Sequence, residues 1–164
     1  MNHPIYQIKN LKTFRGVEGN GFNATLYLGQ KRLGSIVDDA SGGPVIFEIS
    51  DADKKALDDY AQSLPDIICS FNDHTGKPAV LKNSADLLVS HLVNQAATLK
   101  RIKGILRKGT ALAIIEDHQI YKVEYMCEVN LQIIKDYQKN YPEAVVLNQL
   151  SDADIMAALA AHGV

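Results

Sequence analysis

The chain has 164 residues, 46% hydrophobic and 22% charged, which suits one domain with a sizeable core and excludes a disordered segment. A formal net charge of -2 excludes a surface given over wholly to nucleic acid, so any basic site must be local. Cys69 and Cys127 stand far apart without a CxxC partner, which argues against a zinc knuckle or a disulfide framework and predicts two buried free thiols in a reducing cytoplasm. The first residues lack an apolar core of signal-peptide length, and no run approaches the roughly 18 to 20 apolar residues of a membrane helix, so a cytoplasmic protein without membrane contact is expected.

In chain order, Tyr6 to Phe14 alternates weakly and predicts a first strand, followed by a loop Gly16 to Gly21 whose three glycines allow positive φ. Phe22, Ala24, Leu26 and Leu28 fall on one face of the next strand, and Gly29-Gln30 predicts a II′-type turn into a strand Leu33 to Val37, with Lys31 and Arg32 at the hairpin tip. Asp38-Asp39-Ala40-Ser41-Gly42-Gly43-Pro44 is dense in turn formers, and Val45 to Ile49 closes a β meander. Ser50-Asp51-Ala52-Asp53 resembles a capping box and opens a helix to about Leu64, with Ala56, Leu57, Tyr60, Ala61 and Leu64 on its apolar face. Ile67 to Phe71 predicts a strand, and Asn72 to Pro78 a surface loop.

The longest periodic segment begins near Ser84. It carries Leu88, Leu92, Gln95, Leu99, Ile102 and Leu106 at steps of four and three, with Gly109 just past its end, and predicts a helix of roughly 24 residues. Its stripe is equally suited to burial on the chain's own sheet or against a second copy. Thr110 to Ile115 and Ile120 to Tyr125 predict a second hairpin, Glu128 to Asn140 a helix with the stripe Val129, Ile133, Ile134 and Tyr137, Ala144 to Leu147 a strand, and Ser151 to Asp154 the cap of a C-terminal helix. The expected architecture is a single α+β domain over residues 1–164: an N-terminal antiparallel β meander packed with a long central helix, then a second β hairpin and C-terminal helices.

Four constellations bear on chemistry. Asp38, Asp39 and Glu48 approximate the layout in which metal-dependent nucleases gather carboxylates for magnesium, but the lysine expected close behind the second acid is replaced by Ser50, and the acids also suit a tight turn. The glycines from Gly16 to Gly21 run into a strand and not into a helix N-terminus, and no GK[ST] follows, so they fit a strand connection better than a phosphate cradle. His3, His74, His91, His118 and His162 show no ligand spacing; His91 lies beside the helical stripe and is expected to be partly buried, while His74 shares a loop with Asp73 downstream of Cys69. Lys100, Arg101, Lys103, Arg107 and Lys108 occupy the last turns of the long helix over an arc of roughly 160°. They fit either an anion-binding face, which Lys31 and Arg32 would extend, or a solvated face whose cations oppose the helix dipole.

The run GVEGNGFNATLYLGQKRLGSIVDDASGGPVIFE resembles the N-terminal pattern of small uncharacterised proteins encoded by bacteriophages and prophages, in which G-x-x-G-x-G-x-N-A-x-L-Y leads through a charged hairpin into D-D-x-x-G-G. The resemblance rests on Gly19, Gly21, Asn23, Ala24, Leu26, Tyr27, Asp38, Asp39, Gly42 and Gly43, and covers about a fifth of the chain. Such proteins tend to carry a tryptophan in the strand after Pro44, which this chain lacks. The resemblance carries no catalytic residues over and implies a setting: an accessory protein of a mobile element in a host bacterial cell. The expected function is a non-enzymatic interaction protein that binds and inhibits a host defence complex, of the anti-CRISPR or a similar anti-defence type. Its partner would be a host protein or ribonucleoprotein, and a homodimer is compatible with the helical stripe. No catalytic residue, metal ligand or cofactor is assigned. The alternatives are a nucleic-acid-binding accessory protein using the basic helix face, and a metal-dependent nuclease.

Overall fold

The computed structural model describes residues 6–162, so that His3 lies outside the described residues. The chain divides into two compact units, one ending at Ala96 and the other beginning at Ala97. The boundary falls inside the long helix α2 (Ala85–Leu106).

The first unit opens with an antiparallel sheet of β1 (Tyr6–Arg15), β2 (Asn20–Leu28), β3 (Lys31–Asp38) and β4 (Ile46–Glu48), paired in that order. It is the expected meander, with the strand expected over Tyr6 to Phe14 joined to it as β1. The alternation in β2 works as the period-two pattern requires: Phe22, Ala24 and Leu26 are buried, while Asn23 is exposed. Leu28 pairs with Lys31 across Gly29-Gln30, and of these two turn residues only Gly29 has positive φ, at 58°, as a II′ turn demands. β1 bulges where Asn10, at φ 56°, and Leu11 stand against the single residue Ala24. Helix α1 (Asp51–Ser63) starts at Ser50, whose Oγ accepts from the Asp53 N–H at 3.1 Å. Its face buries Leu57 and Ala61 and half-buries Tyr60 and Leu64; Ala56, expected on that face, is exposed. These side chains join Tyr6, Phe22, Ala24, Leu26 and Ile36 of the sheet and Ala85, Leu88, Val89 and Val93 of α2 in one core. Fully burying one such leucine is worth about 1.5 to 3 kcal/mol.

Between α1 and α2 lies a hairpin, β5 (Ile67–Asn72) and β6 (Pro78–Leu81), which forms a two-stranded sheet of its own. Only β5 is legible beforehand. The loop expected through Pro78 is shorter, because Asp73 closes a turn by accepting from the Thr75 N–H and Oγ1.

In the second unit, β7 (Ala111–Glu116) is the middle strand of a sheet ordered β8 (Gln119–Glu124), β7, β9 (Val145–Val146). Helix α3 (Leu131–Asn140) is capped by Asn130, so Val129 precedes the helix it was expected to line; α4 (Asp152–Ala161) is capped by Ser151. The run Ala111 to Ile115 is buried throughout because both faces of β7 are covered. Ala113 and Ile115 pack with Ile102, Leu147, Ile155 and Leu159, whereas Leu112 and Ile114 pack with Ile134, Ala144 and Val146. The helical stripe is thus taken up by the chain itself: Leu88 and Leu92 pack in the core of the first unit, and Leu99, Ile102 and Leu106 in that of the second.

Candidate functional site

The cations singled out by spacing fall in different units. Lys31 and Arg32 belong to the first, at the β2–β3 turn, where Lys31 forms an ion pair with Asp53 at 2.8 Å; this bond and that from Ser50 hold the Asp53 carboxyl below its ordinary range. Lys100, Arg101, Lys103, Arg107 and Lys108 belong to the second unit, and all five are exposed. Helix α2 ends at Leu106, so Arg107 and Lys108 sit in the turn beyond it and not in its last turn; Arg107 N–H still bonds the Lys103 carbonyl, and Gly109 N–H the Leu106 carbonyl. Lys103 is engaged by Asp152 in the first turn of α4 at 2.6 Å, with both side chains more than half exposed. Such a surface pair is worth about 0 to 1 kcal/mol. Lys108 reaches Glu124 through its charge; the Glu124 carboxyl is held below its ordinary range first by its bond from Lys122, then by the charges of Lys122 and Lys108. Arg101 and Arg107 enter no ion pair or side-chain hydrogen bond among the described residues.

Beside this end of α2 lies a groove of about 620 Å³. Gly109, at φ 68°, reverses the chain, and its carbonyl accepts from Val129 N–H at 2.7 Å while Thr110 accepts from Tyr125 N–H at 2.8 Å. These bonds place Val129 and the start of α3 next to Leu106. The groove is lined by the apolar Leu106, Val129, Leu131 and Ile134 together with Gly109, Asn130, Gln132, Asn148 and Gln149. Leu106 and Gly109 line it, and the exposed Arg107 and Lys108 lie between them in sequence. The first turn of α3 contains no acid, which leaves its N-terminal dipole uncancelled. An apolar floor with cations and a helix N-terminus at the edge suits an acidic, partly apolar ligand surface. None of these lining residues was legible as a set, because they come from three segments separated in sequence; only the cations were.

The other sequence candidates have structural work. Asp38 Oδ1 accepts from Ala40 N–H, and Asp39 Oδ1 accepts from both Ser41 N–H and Ser41 Oγ, which holds the Asp39 carboxyl below its ordinary range. Glu48 pairs with Ser35, three residues along β3 from Asp38, about 10 Å at 3.3 Å per residue and on the opposite face. Among the described residues no group of three acids, histidines or cysteines stands close enough to hold a metal ion. The glycine loop packs on the Asp38–Gly42 turn: Glu18 N–H bonds the Ala40 carbonyl at 2.9 Å, and a Cβ on Gly16 would sit 2.4 Å from that of Ala40. Two sequence expectations are corrected. His91 is exposed, with its Nε2 2.8 Å from the Gln95 amide, because the buried face of α2 runs through Val89 and Val93 instead. Cys127 is exposed in the loop after β8, and Cys69 half-buried in β5, although both are free thiols.

Among the described residues no helix is long and apolar enough to cross a membrane. Set against known proteins, the chain matches no family model, no curated protein and no solved structure.

Proposed function

We propose that this is an interaction protein of a phage or other mobile element that acts in the host cytoplasm by binding and inhibiting a defence complex, with the end of α2 as its contact surface. The observation that carries the reading is an apolar groove at the end of α2 whose lining residue Leu106 is followed by Arg107, a guanidinium with no partner in the described chain. Arginine beside an apolar floor is the residue type enriched where protein partners meet. The phage-like segment Gly16 to Glu48 supports the setting. The test is capture from a host lysate with mass spectrometry, together with plaque formation on defended hosts. Wild-type protein should raise plating on a defended host, and the Arg101→Glu/Arg107→Glu variant should lose at least tenfold of that effect while keeping its circular dichroism spectrum. Unchanged plating across defended hosts would overturn the reading.

The same cations favour a second reading, direct binding of nucleic acid. Neutralising three phosphates with Arg101, Arg107 and Lys108 would give a plot of log affinity against log salt with slope about -3 on duplex. Gel shifts that show no complex at low salt would remove it.

A further inference from the structure

The side chains of α1 and α2 pack on one face of the first sheet, that of Tyr6, Phe22, Ala24, Leu26 and Ile36, and leave the opposite face open. Alternation and register fix what the open face carries. Lys9 stands opposite Thr25, Lys12 opposite Asn23, Phe14 opposite Gly21 and Tyr27 opposite Arg32, each out of phase with the buried set. The bulge in β1 preserves this alignment, because the Asn10 amide turns outward to within 3.5 Å of Thr25 Oγ1 while Leu11 packs in the core. Two aromatic rings lie on the same face. A Cβ on Gly21 would meet Phe14 Cε2 and Cζ at 2.7 and 2.8 Å, so the ring lies across the β2 backbone where no side chain stands, and Phe14 is still 43% exposed. The Tyr27 ring has the exposed Lys9 ammonium 4.5 Å from its centroid, so a π-face of Tyr27 is turned to the open side as well. Lys9, Lys12 and Arg32 are exposed and enter no ion pair among the described residues. The acid that the register puts on this face is Glu48, on β4 beside Ser35. On a chain of net charge -2 that makes a local positive surface.

We infer that this open face binds single-stranded nucleic acid. Gly21 and Tyr27 are six residues apart on β2, about 20 Å at 3.3 Å per residue, and the cations of β1 and β3 lie alongside that line. Such a length suits a run of roughly four nucleotides, the small end of the site sizes found on sheet platforms. Bases stack on Phe14 and Tyr27 at its two ends, phosphates meet Lys9, Lys12 and Arg32, and the Asn10 and Asn23 amides reach base edges between them. Lys9 exchanges the Tyr27 ring for a phosphate when a base takes its place. A duplex keeps its bases stacked on one another and has none free to lie on these rings, which is why the ligand is a single strand. An acidic protein surface would answer the cations but would leave the two flat rings without a partner of their own shape. The inference uses the first unit and rests on neither reading proposed above, both of which use the end of α2.

The test is fluorescence anisotropy on the full chain with end-labelled oligothymidylate and oligouridylate of about 12 nucleotides, and with a duplex of the same length. The wild type should bind a single strand at low salt at least tenfold more tightly than the duplex. Its log affinity should fall against log salt with a slope of about -2, from three phosphates at about 0.7 each. Phe14→Leu and Tyr27→Leu keep an apolar side chain without a π-face, and each should weaken binding at least fivefold with the slope unchanged. Lys12→Gln and Arg32→Gln should each make the slope shallower by about 0.7. A wild-type chain that binds no single strand at low salt overturns the inference. So does binding that polyglutamate displaces as well as an unlabelled oligonucleotide does, since the face would then recognise acidic protein. A loss confined to Arg101→Glu/Arg107→Glu overturns it too, by placing the strand on the second unit. Should the leucine variants misfold, the glutamine variants at exposed positions still decide, and slopes equal to that of the wild type would refute the assignment.

Discussion

At Asn148 a side chain takes over hydrogen bonding that a strand would otherwise provide. β9 ends at Val146, Leu147 N–H still bonds the Ala113 carbonyl at 2.8 Å, and beyond it the Asn148 amide serves β7 twice. Its Oδ1 accepts from Ala113 N–H at 3.0 Å and its Nδ2 donates to the Ala111 carbonyl at 2.9 Å. Ala111 and Ala113 are fully buried, so both main-chain groups depend on this one side chain. Asn148→Ala is expected to cost about 2 to 4 kcal/mol, because it orphans a buried donor and a buried acceptor together. Asn148→Asp should cost less than alanine but more than nothing, since a carboxylate accepts from Ala113 and has no proton for Ala111. Urea denaturation of the three proteins checks the order; equal stability of the wild type and the alanine variant would show that water replaces the amide.

Helix starts show how local chemistry sets an element, and they were the most legible feature of the sequence. Ser50 and Ser151 each accept from the N–H three residues on, at 3.1 and 3.2 Å, and each also donates its hydroxyl to an aspartate, Asp53 or Asp154. In the capping box glutamate reaches back to the cap's main-chain N–H; the shorter aspartate takes the serine hydroxyl instead. Ser50→Ala and Ser151→Ala should each cost about 0.5 to 2 kcal/mol, checked by the shift in thermal midpoint, whereas replacement by Asp should recover most of it. α1 was readable because period and cap agreed, α2 from its period and the glycine after it, α4 from its cap, and the meander and second hairpin from strand segments separated by turn residues. β6 was not, because four residues beginning with proline carry no period and gain their pairing only from β5. The turn Asp117-His118 was read as four residues; it has two, both at positive φ, a I′ geometry that sequence signals through glycine or asparagine and that this chain builds without either. The candidate site was half legible. Its cations follow from helical spacing, but the engagement of Lys103 by Asp152, 49 residues away, and the groove beside Arg107 depend on tertiary packing that no local pattern encodes.

Across the whole molecule the same carboxylates set the response to acid. Asp39, Asp53 and Asp73 are held below the ordinary 3.8, and Glu124 below 4.5, by hydrogen bonds that favour the charged form. A group with a lowered folded value binds protons less readily than its unfolded counterpart, so its contribution is complete above the ordinary value and is lost as pH falls through the folded one. The stabilisation from these four is therefore expected to be level above about pH 5 and to decline steadily below pH 4. Repulsion acts in the same direction, because the 19 acids lose charge while the 17 lysines and arginines keep theirs. Salt separates the sources. Asp39 and Asp73 are lowered first by the Ser41 and Thr75 hydroxyls, contacts between neighbours in a turn that ionic strength screens little, whereas Asp53 and Glu124 are lowered first by Lys31 and Lys122. Urea midpoints between pH 2 and 7 should thus fall in acid at both low and high salt, with the Asp53→Asn variant showing a shallower fall than wild type at low salt and a smaller difference from it at high salt. A variant whose acid profile superimposes on that of the wild type at low salt would mean that the Lys31–Asp53 pair forms equally well in the unfolded chain.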